Sequence, residues 1–209
     1  EGLGFCVELL AAIPSVVYGL WGLAVLVPLL RERVQPALQA LAPGSALTAG
    51  VPLGVGYLAA GLLLALMILP TIATVMVQVL RQVPAALREA ALSLGATRVA
   101  MLRLAVWPLA RRGFLGAVLL GLARALGEAL AVSMVIGNQP GLGVSLLQPG
   151  SSLSAILANE FGQTTDDLHG AALAALALVL LVLTLALAVA ARLLLWPRRG
   201  VVAVGSEVA

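Results

Sequence analysis

The sequence predicts an all-α integral membrane protein, a single transmembrane domain over residues 1–209 with about four spans. Three observations carry this. Of the 209 residues, 62% are hydrophobic. Charged residues make up 10%, against about 25% in an average soluble domain. The apolar residues also fall into long runs of about 20 residues or more, enough to cross a hydrocarbon core of about 30 Å. So few charges cannot coat a water-soluble globule of this size. The composition excludes a soluble enzyme, a disordered chain and a disulfide scaffold. Helices satisfy their own backbone groups, which is what hydrocarbon demands of a spanning segment.

The first run covers residues 7–30, is interrupted by Pro14 and is closed by Pro28 and Arg31. It is no signal peptide, because Glu1 and Glu8 stand where a basic leader would be. Cys6, just ahead of this run in an apolar stretch, reads as a small packed hydrophobe. The second run covers residues 54–79 and contains Pro70. A membrane bundle tolerates such a proline, since neighbouring helices satisfy the freed carbonyl. The third run covers residues 113–136 and the fourth residues 170–195.

Orientation follows from the arginines. All twelve basic residues are Arg, and nine acids leave a net charge of +3. Residues 81–112 hold Arg81, Arg88, Arg98, Arg103, Arg111 and Arg112 against a single acid, Glu89. Arg192, Arg198 and Arg199 lie in or beyond the end of the fourth run. The loop of residues 138–169 has no basic residue except His169, and carries Glu160, Asp166 and Asp167. The positive-inside rule predicts a cytoplasmic 81–112 segment, a cytoplasmic C-terminus and an external 138–169 loop. Parity puts Arg31 and Arg33 outside, against the rule, and the larger cluster decides. Arginines beside apolar runs are membrane anchors, not a nucleic-acid surface.

The 81–112 segment is long for a bundle connection and reads as a helical hairpin. Pro84 suits a first helical turn, and Leu87, Ala91 and Leu94 form an apolar stripe. Gly95 fits a C-terminal stop, Thr97 an N-cap, and Pro108 the end of the second helix. Glu89-Ala90-Ala91, then Gly95, then Pro108 resemble the EAA loop of ABC-importer permeases, EAA-x3-G-x9-I-x-L-P. The chain departs from that pattern at Ala105 and Trp107, both apolar replacements. The resemblance implies that Glu89, Ala90, Ala91, Gly95 and Pro108 form a coupling element for a cytoplasmic ATPase subunit. Small alanines admit a close partner, and glycine permits the turn. The chain has no lysine, and a P-loop requires one. If ATP powers this transporter, another chain must bind and hydrolyse it, so the expectation is no cofactor bound by this chain and ATP used by the partner ATPase.

In the third run, Gly113, Ala117, Gly121, Ala125 and Ala129 repeat every four residues, a seam for close helix packing. Beside it run Gly116, Leu120, Arg124 and Glu128. Arg124 lies about 16 Å into the span at 1.5 Å per residue. A charge there costs about 2.5–3.5 kcal/mol on insertion scales, so it faces the bundle interior or a wet path. Either Arg124 and Glu128 merely neutralise each other at i, i+4, or they line or gate a substrate path. In the second case Arg124 offers its fork to an oxyanion.

Gly121-Leu-Ala-Arg-Ala-Leu-Gly-Glu-Ala129 resembles the G-x-x-R-A-L-G-E-[TA] segment of phosphate-importer permeases. Ala131-Val-Ser-Met-Val-Ile-Gly-Asn138, Ile13-Pro-Ser-Val-Val-Tyr-Gly-Leu-Trp-Gly22 and Leu157-Ala-Asn-Glu-Phe161 are similar to the PstC-type subunits of that family. The likeness aligns the chain with the last four of six spans and implies that Glu1 is a truncated or artificial start. It implies inorganic phosphate as cargo, alternating access as mechanism, and the cytoplasmic (inner) membrane as location. The implied partners are a second, PstA-like permease, two cytoplasmic ATPase subunits, an external phosphate-binding protein and membrane lipid.

Weaker candidates remain. Ser15, Tyr18 and Trp21 share a face of the first run, which suits either the path or aromatic packing. Leu153, Ile156, Leu157 and Phe161 predict a short interfacial helix in the external loop. Asp166 and Asp167 suit caps of the fourth span, and Asn138 the end of the third. His169 has no second His or Cys partner for a metal. The rival functions are a permease for sulfate or molybdate, a passive channel, and an intramembrane enzyme. The channel has no use for an ATPase-docking hairpin. The enzyme lacks a serine spaced to meet His169.

Overall fold

A computed structural model of the chain describes residues 12–195 except 142 and 165. Cys6, the start of the first apolar run, Arg198 and Arg199 lie outside the described residues. The helices in chain order are α1 (Ser15–Leu41), α2 (Tyr57–Arg81), α3 (Ala85–Ser93), α4 (Arg98–Gly127), α5 (Leu130–Ile136), α6 (Leu153–Glu160) and α7 (Asp167–Leu195). Four of these, α1, α2, α4 and α7, are long and apolar enough to cross a membrane. No β-strand occurs among the described residues.

Two helices differ from the sequence-based expectation. The first does not stop at Pro28 and Arg31 but runs on through Arg31, Glu32 and Arg33 to Leu41. The third begins at Arg98, so Pro108 does not end the hairpin's second helix; that helix and the span are one rod of 30 residues, about 45 Å long. The reason is the same in both. Each has a π turn just ahead of the proline: Gly22–Leu26 before Pro28, Leu30–Val34 before Pro36, and Leu102–Val106 before Pro108. The residue preceding each proline donates to the carbonyl five positions back: Val27 to Gly22, Gln35 to Leu30, Trp107 to Leu102. In an α turn the proline ring collides with the carbonyl four back. The wider turn opens that spacing, and the helix passes through.

The third span also ends early. α4 closes at Gly127, Glu128 is extended with ψ 114°, and a separate helix, α5, follows. α5 is the centre of the core: Ala131, Val132, Val135 and Ile136 are all buried, packed with Tyr18 and Leu30 of α1, Leu63 and Met67 of α2, and Ala155 of α6. Gly137 closes this short helix in the left-handed region, with φ 95°, and Asn138 follows it at φ 49°, its Nδ2 donating to the carbonyl of Ser133 at 2.7 Å.

The long loop after α5 folds back on the start of α2. The N–H groups of Tyr57 and Leu58, orphaned by helix geometry, donate to the carbonyls of Gln148 and Leu146 at 3.2 and 2.8 Å. Gly150 N–H returns to the carbonyl of Ile136 at 3.0 Å. α6 is capped by Ser152, whose Oγ accepts from Ala155 N–H at 3.1 Å. Its expected apolar stripe is only partly covered: Leu153, Ile156 and Leu157 are half-buried while Phe161 stays exposed, and the buried residues are Ser154 and Ala155, outside the stripe. Asp166 starts α7 by accepting from Leu168 and Gly170. Along α7, Leu178, Val179, Leu181 and Val182 point outward, an apolar face suited to lipid and unsuited to water.

Candidate functional site

The hairpin forms as the local signals predict. Pro84 precedes α3, and Thr97 caps α4, its Oγ1 accepting from Ala100 N–H at 3.3 Å. Between them the turn is a Schellman motif. Ala96 N–H reaches the carbonyl of Ala91 at 3.1 Å, and Gly95 N–H that of Leu92 at 3.0 Å. Gly95 has φ +80°, and a Cβ there would meet nothing within 4 Å. Backbone conformation, not crowding, therefore selects glycine. Glu89 and Ala90 are exposed, Ala91 is half-buried, and Leu87, Leu92 and Leu94 present apolar surface beside them. α3 packs on the π turn of α4, so the hairpin leans on the long rod. Pro108 lies within that rod, exposed, and takes no part in the turn.

The small-residue seam packs as expected along α4. Gly113, Ala117 and Gly121 are buried, and Ala125 is half-buried. A Cβ on Gly113 would run into the Val79 side chain of α2, and one on Gly121 would lie 2.8 Å from Ile72 Cγ1. Gly116, one step round, instead faces α7, where Leu195 Cγ would stand 2.6 Å away. α4 therefore lies between α2 and α7, each reaching it through glycine. Ala129, the fifth member of the predicted repeat, falls in the break beyond α4.

The break separates Arg124 from Glu128. Arg124 sits in the last turn of α4 and is exposed, with no hydrogen bond or ion pair to any described residue. Its charge complements the carbonyl end of the helix. Glu128 is half-buried, and its Oε1 accepts from Ala131 N–H at 3.3 Å, which starts α5. Its carbonyl accepts from Ser154 Oγ at 2.8 Å, tying the break to α6. The expected i, i+4 pair is therefore not formed, because Glu128 has left the helix. A cavity of about 260 Å³ lies against the break, lined by Tyr57, Gly61, Glu128, Ser152, Ser154 and Leu180 among others. Irregular backbone at such a place is tolerated where it borders a cavity.

On the face of α1 holding Ser15, Tyr18 and Trp21, Tyr18 is buried in the core, Ser15 half-buried and Trp21 43% exposed. The three do not share one environment. His169 Nε2 stands 3.4 Å from Glu160 Oε2, a half-exposed link across the α6–α7 turn. Gln35 escaped the sequence reading, and Arg88 entered it only as one charge of the 81–112 cluster. Gln35 is fully buried, and its Oε1 accepts from Gly54 N–H at 2.9 Å. Arg88 folds back from α3 onto the carbonyl of Leu80 in α2. Both depend on where distant backbone lies, which periodicity does not encode.

A family model described as "Binding-protein-dependent transport system inner membrane component" matches residues 1–195. The phosphate transport system permease protein PstC of Mesorhizobium japonicum is 44% identical over 178 residues, which is 83% of this chain and 54% of that protein. Its namesake in Xylella fastidiosa is 44% identical over 197 residues, 92% of this chain and 60% of that protein. The one in Haemophilus influenzae is 47% identical over 165 residues, 77% of this chain and 52% of that protein. The chain spans between half and two thirds of the length of these curated relatives. No solved structure gives a significant match.

Proposed function

Because the chain belongs to the family of binding-protein-dependent transport system inner membrane components, an integral multi-pass membrane family, we propose that it is the permease part of an ATP-driven phosphate importer. The observation that carries this reading is the α3 hairpin. A short helix with an exposed Glu89-Ala90 edge, closed by Gly95, stands between two spanning helices, and the hairpin's second arm is continuous with one of them. Such a knob suits the groove of a separate protein. The names of the relatives support phosphate as cargo and give sulfate or molybdate no support.

In this reading, two cytoplasmic ATPase subunits move the hairpin, and α4 carries the motion as a rod toward the break at Gly127. Phosphate arrives from an external binding protein and passes between this chain and a second permease. Arg124, exposed and without a partner among the described residues, presents its guanidinium to the anion. Glu128 fixes the geometry of the break and borders the path. The arginine-rich hairpin and the C-terminus lie in the cytoplasm, and residues 138–169 lie outside. Catalysis of ATP hydrolysis belongs to the partner, since this chain has no lysine for a P-loop.

Co-purification tests the carrying observation. The ATPase subunit should be retained on the immobilised permease and be lost with Glu89→Lys. Equal retention by wild type and Glu89→Lys removes the hairpin from the interface.

A further inference from the structure

Helix α3 joins α2 through the Gln82–Pro84 linker, and a side-chain hydrogen bond also ties it to that helix. Arg88, on the first turns of α3 and next to Glu89, donates from Nη2 to the backbone carbonyl of Leu80 in the last turn of α2. Without Arg88 that carbonyl keeps only the N–H of Val83, at a long 3.4 Å. The guanidinium thus sits at the carbonyl end of a 25-residue helix, where a positive charge is favoured. Its Nε N–H is buried with no acceptor among the described residues.

α3 is therefore braced on two sides. Towards α4 it is held by the Schellman turn and by packing on the π turn at Leu102–Val106. Towards α2 it is held by Arg88. The two spans are locked together one level further in, where Gly113 meets Val79. We propose that Arg88 is a positioning residue, a strut that makes α2 follow the hairpin when it is displaced. This rests on the reading of α3 as the element an ATPase moves. The arginine suits the task because its planar fork keeps direction as well as charge. A lysine keeps the charge and three rotatable donors but lacks the planar fork, on a more flexible stem.

Two measurements on the assembled transporter test the strut. The first is phosphate taken up per ATP hydrolysed. Arg88→Ala should still retain the ATPase, because the Glu89-Ala90 edge is untouched, while uptake per ATP falls about fivefold or more, the range of ordinary coupling energies. Arg88→Lys should recover part of the loss. A role confined to capping α2 would lower thermal stability and leave that ratio unchanged. The second measurement needs no transport. Spin labels at Gln78→Cys and Ser93→Cys in a Cys6→Ala background should give a narrow distance distribution that broadens with Arg88→Ala and narrows again with Arg88→Lys. An unchanged distribution, or an unchanged uptake per ATP in Arg88→Ala, overturns the strut. Broadening in Arg88→Ala, where the wild-type complex shows no ATP-dependent uptake, upholds the strut and removes the transport reading instead.

Discussion

Glu128 turns its carboxylate to the N–H of Ala131 at 3.3 Å and leaves Arg124, one turn earlier, without it. A helix that looks continuous in sequence is thereby divided into a rod, α4, and a buried plug, α5. The acid serves the start of the plug, and the base at the end of the rod has no partner among the described residues.

The first prediction follows from that separation. Arg124→Gln and Glu128→Gln should act independently, with a coupling energy below about 0.5 kcal/mol in thermal melts of detergent-solubilised protein. Glu128→Ala removes a helix-starting acceptor and should cost about 1 kcal/mol, whereas Glu128→Gln keeps an acceptor and should cost less. Arg124→Gln should fold normally and lose uptake. Recovery of uptake in the Arg124→Gln/Glu128→Gln double variant shows that the two residues pair after all.

The second prediction concerns the hairpin turn. Gly95 is open to solvent at φ +80°, so any substitution is penalised by conformation alone. Gly95→Asn should be tolerated, Gly95→Ala should cost about 1 kcal/mol, and Gly95→Val more, because a β-branched residue resists the left-handed region. ATPase retention should fall in the same order. A larger loss for Gly95→Asn than for Gly95→Val removes the turn as the cause.

Much of this was legible in the sequence, and the failures have one physical character. The hairpin rests on local signals: Pro84 ahead of α3, Gly95 in the turn, Thr97 capping α4. Those signals act within a few residues, and the structure follows them. The seam of Gly113, Ala117 and Gly121 was legible because helix periodicity fixes which residues share a face. The ends of α1 and α4 were misread because proline usually stops a helix. Here a π turn ahead of Pro28, Pro36 and Pro108 lets it continue. The break at Gly127 was invisible because no proline marks it; hydrogen bonds from Ala131 and Ser154 to Glu128 hold it open. Long-range partners such as Gln35 with Gly54 have no sequence period at all.

The third prediction concerns the α2–α4 contact. Gly113→Ala should cost about 1–3 kcal/mol by forcing Val79 aside. Adding Val79→Ala should return a large share of the loss, because it removes the atoms that the new Cβ meets. Melting temperatures in detergent decide the matter. A Gly113→Ala variant as stable as wild type means that the two helices pack elsewhere.

Topology supplies the fourth prediction. Cysteines at Ser93 and Gln163, both exposed and introduced singly in a Cys6→Ala background, should label from opposite sides with an impermeant thiol reagent. Gln163 is preferable to Ser152, whose hydroxyl caps α6. In intact cells position 163 should react and position 93 should not. Reaction of position 93 from outside reverses the orientation drawn from the arginines.

The most direct test of the central claim is competition in proteoliposomes. They would hold the permease with its second permease and ATPase subunits, and labelled phosphate would be supplied with the external binding protein. Uptake should require ATP inside the vesicle and the hairpin residue Glu89, and should be blocked by excess unlabelled phosphate but not by sulfate or molybdate. Uptake that proceeds without ATP, or that sulfate or molybdate blocks as well as phosphate does, would contradict the account.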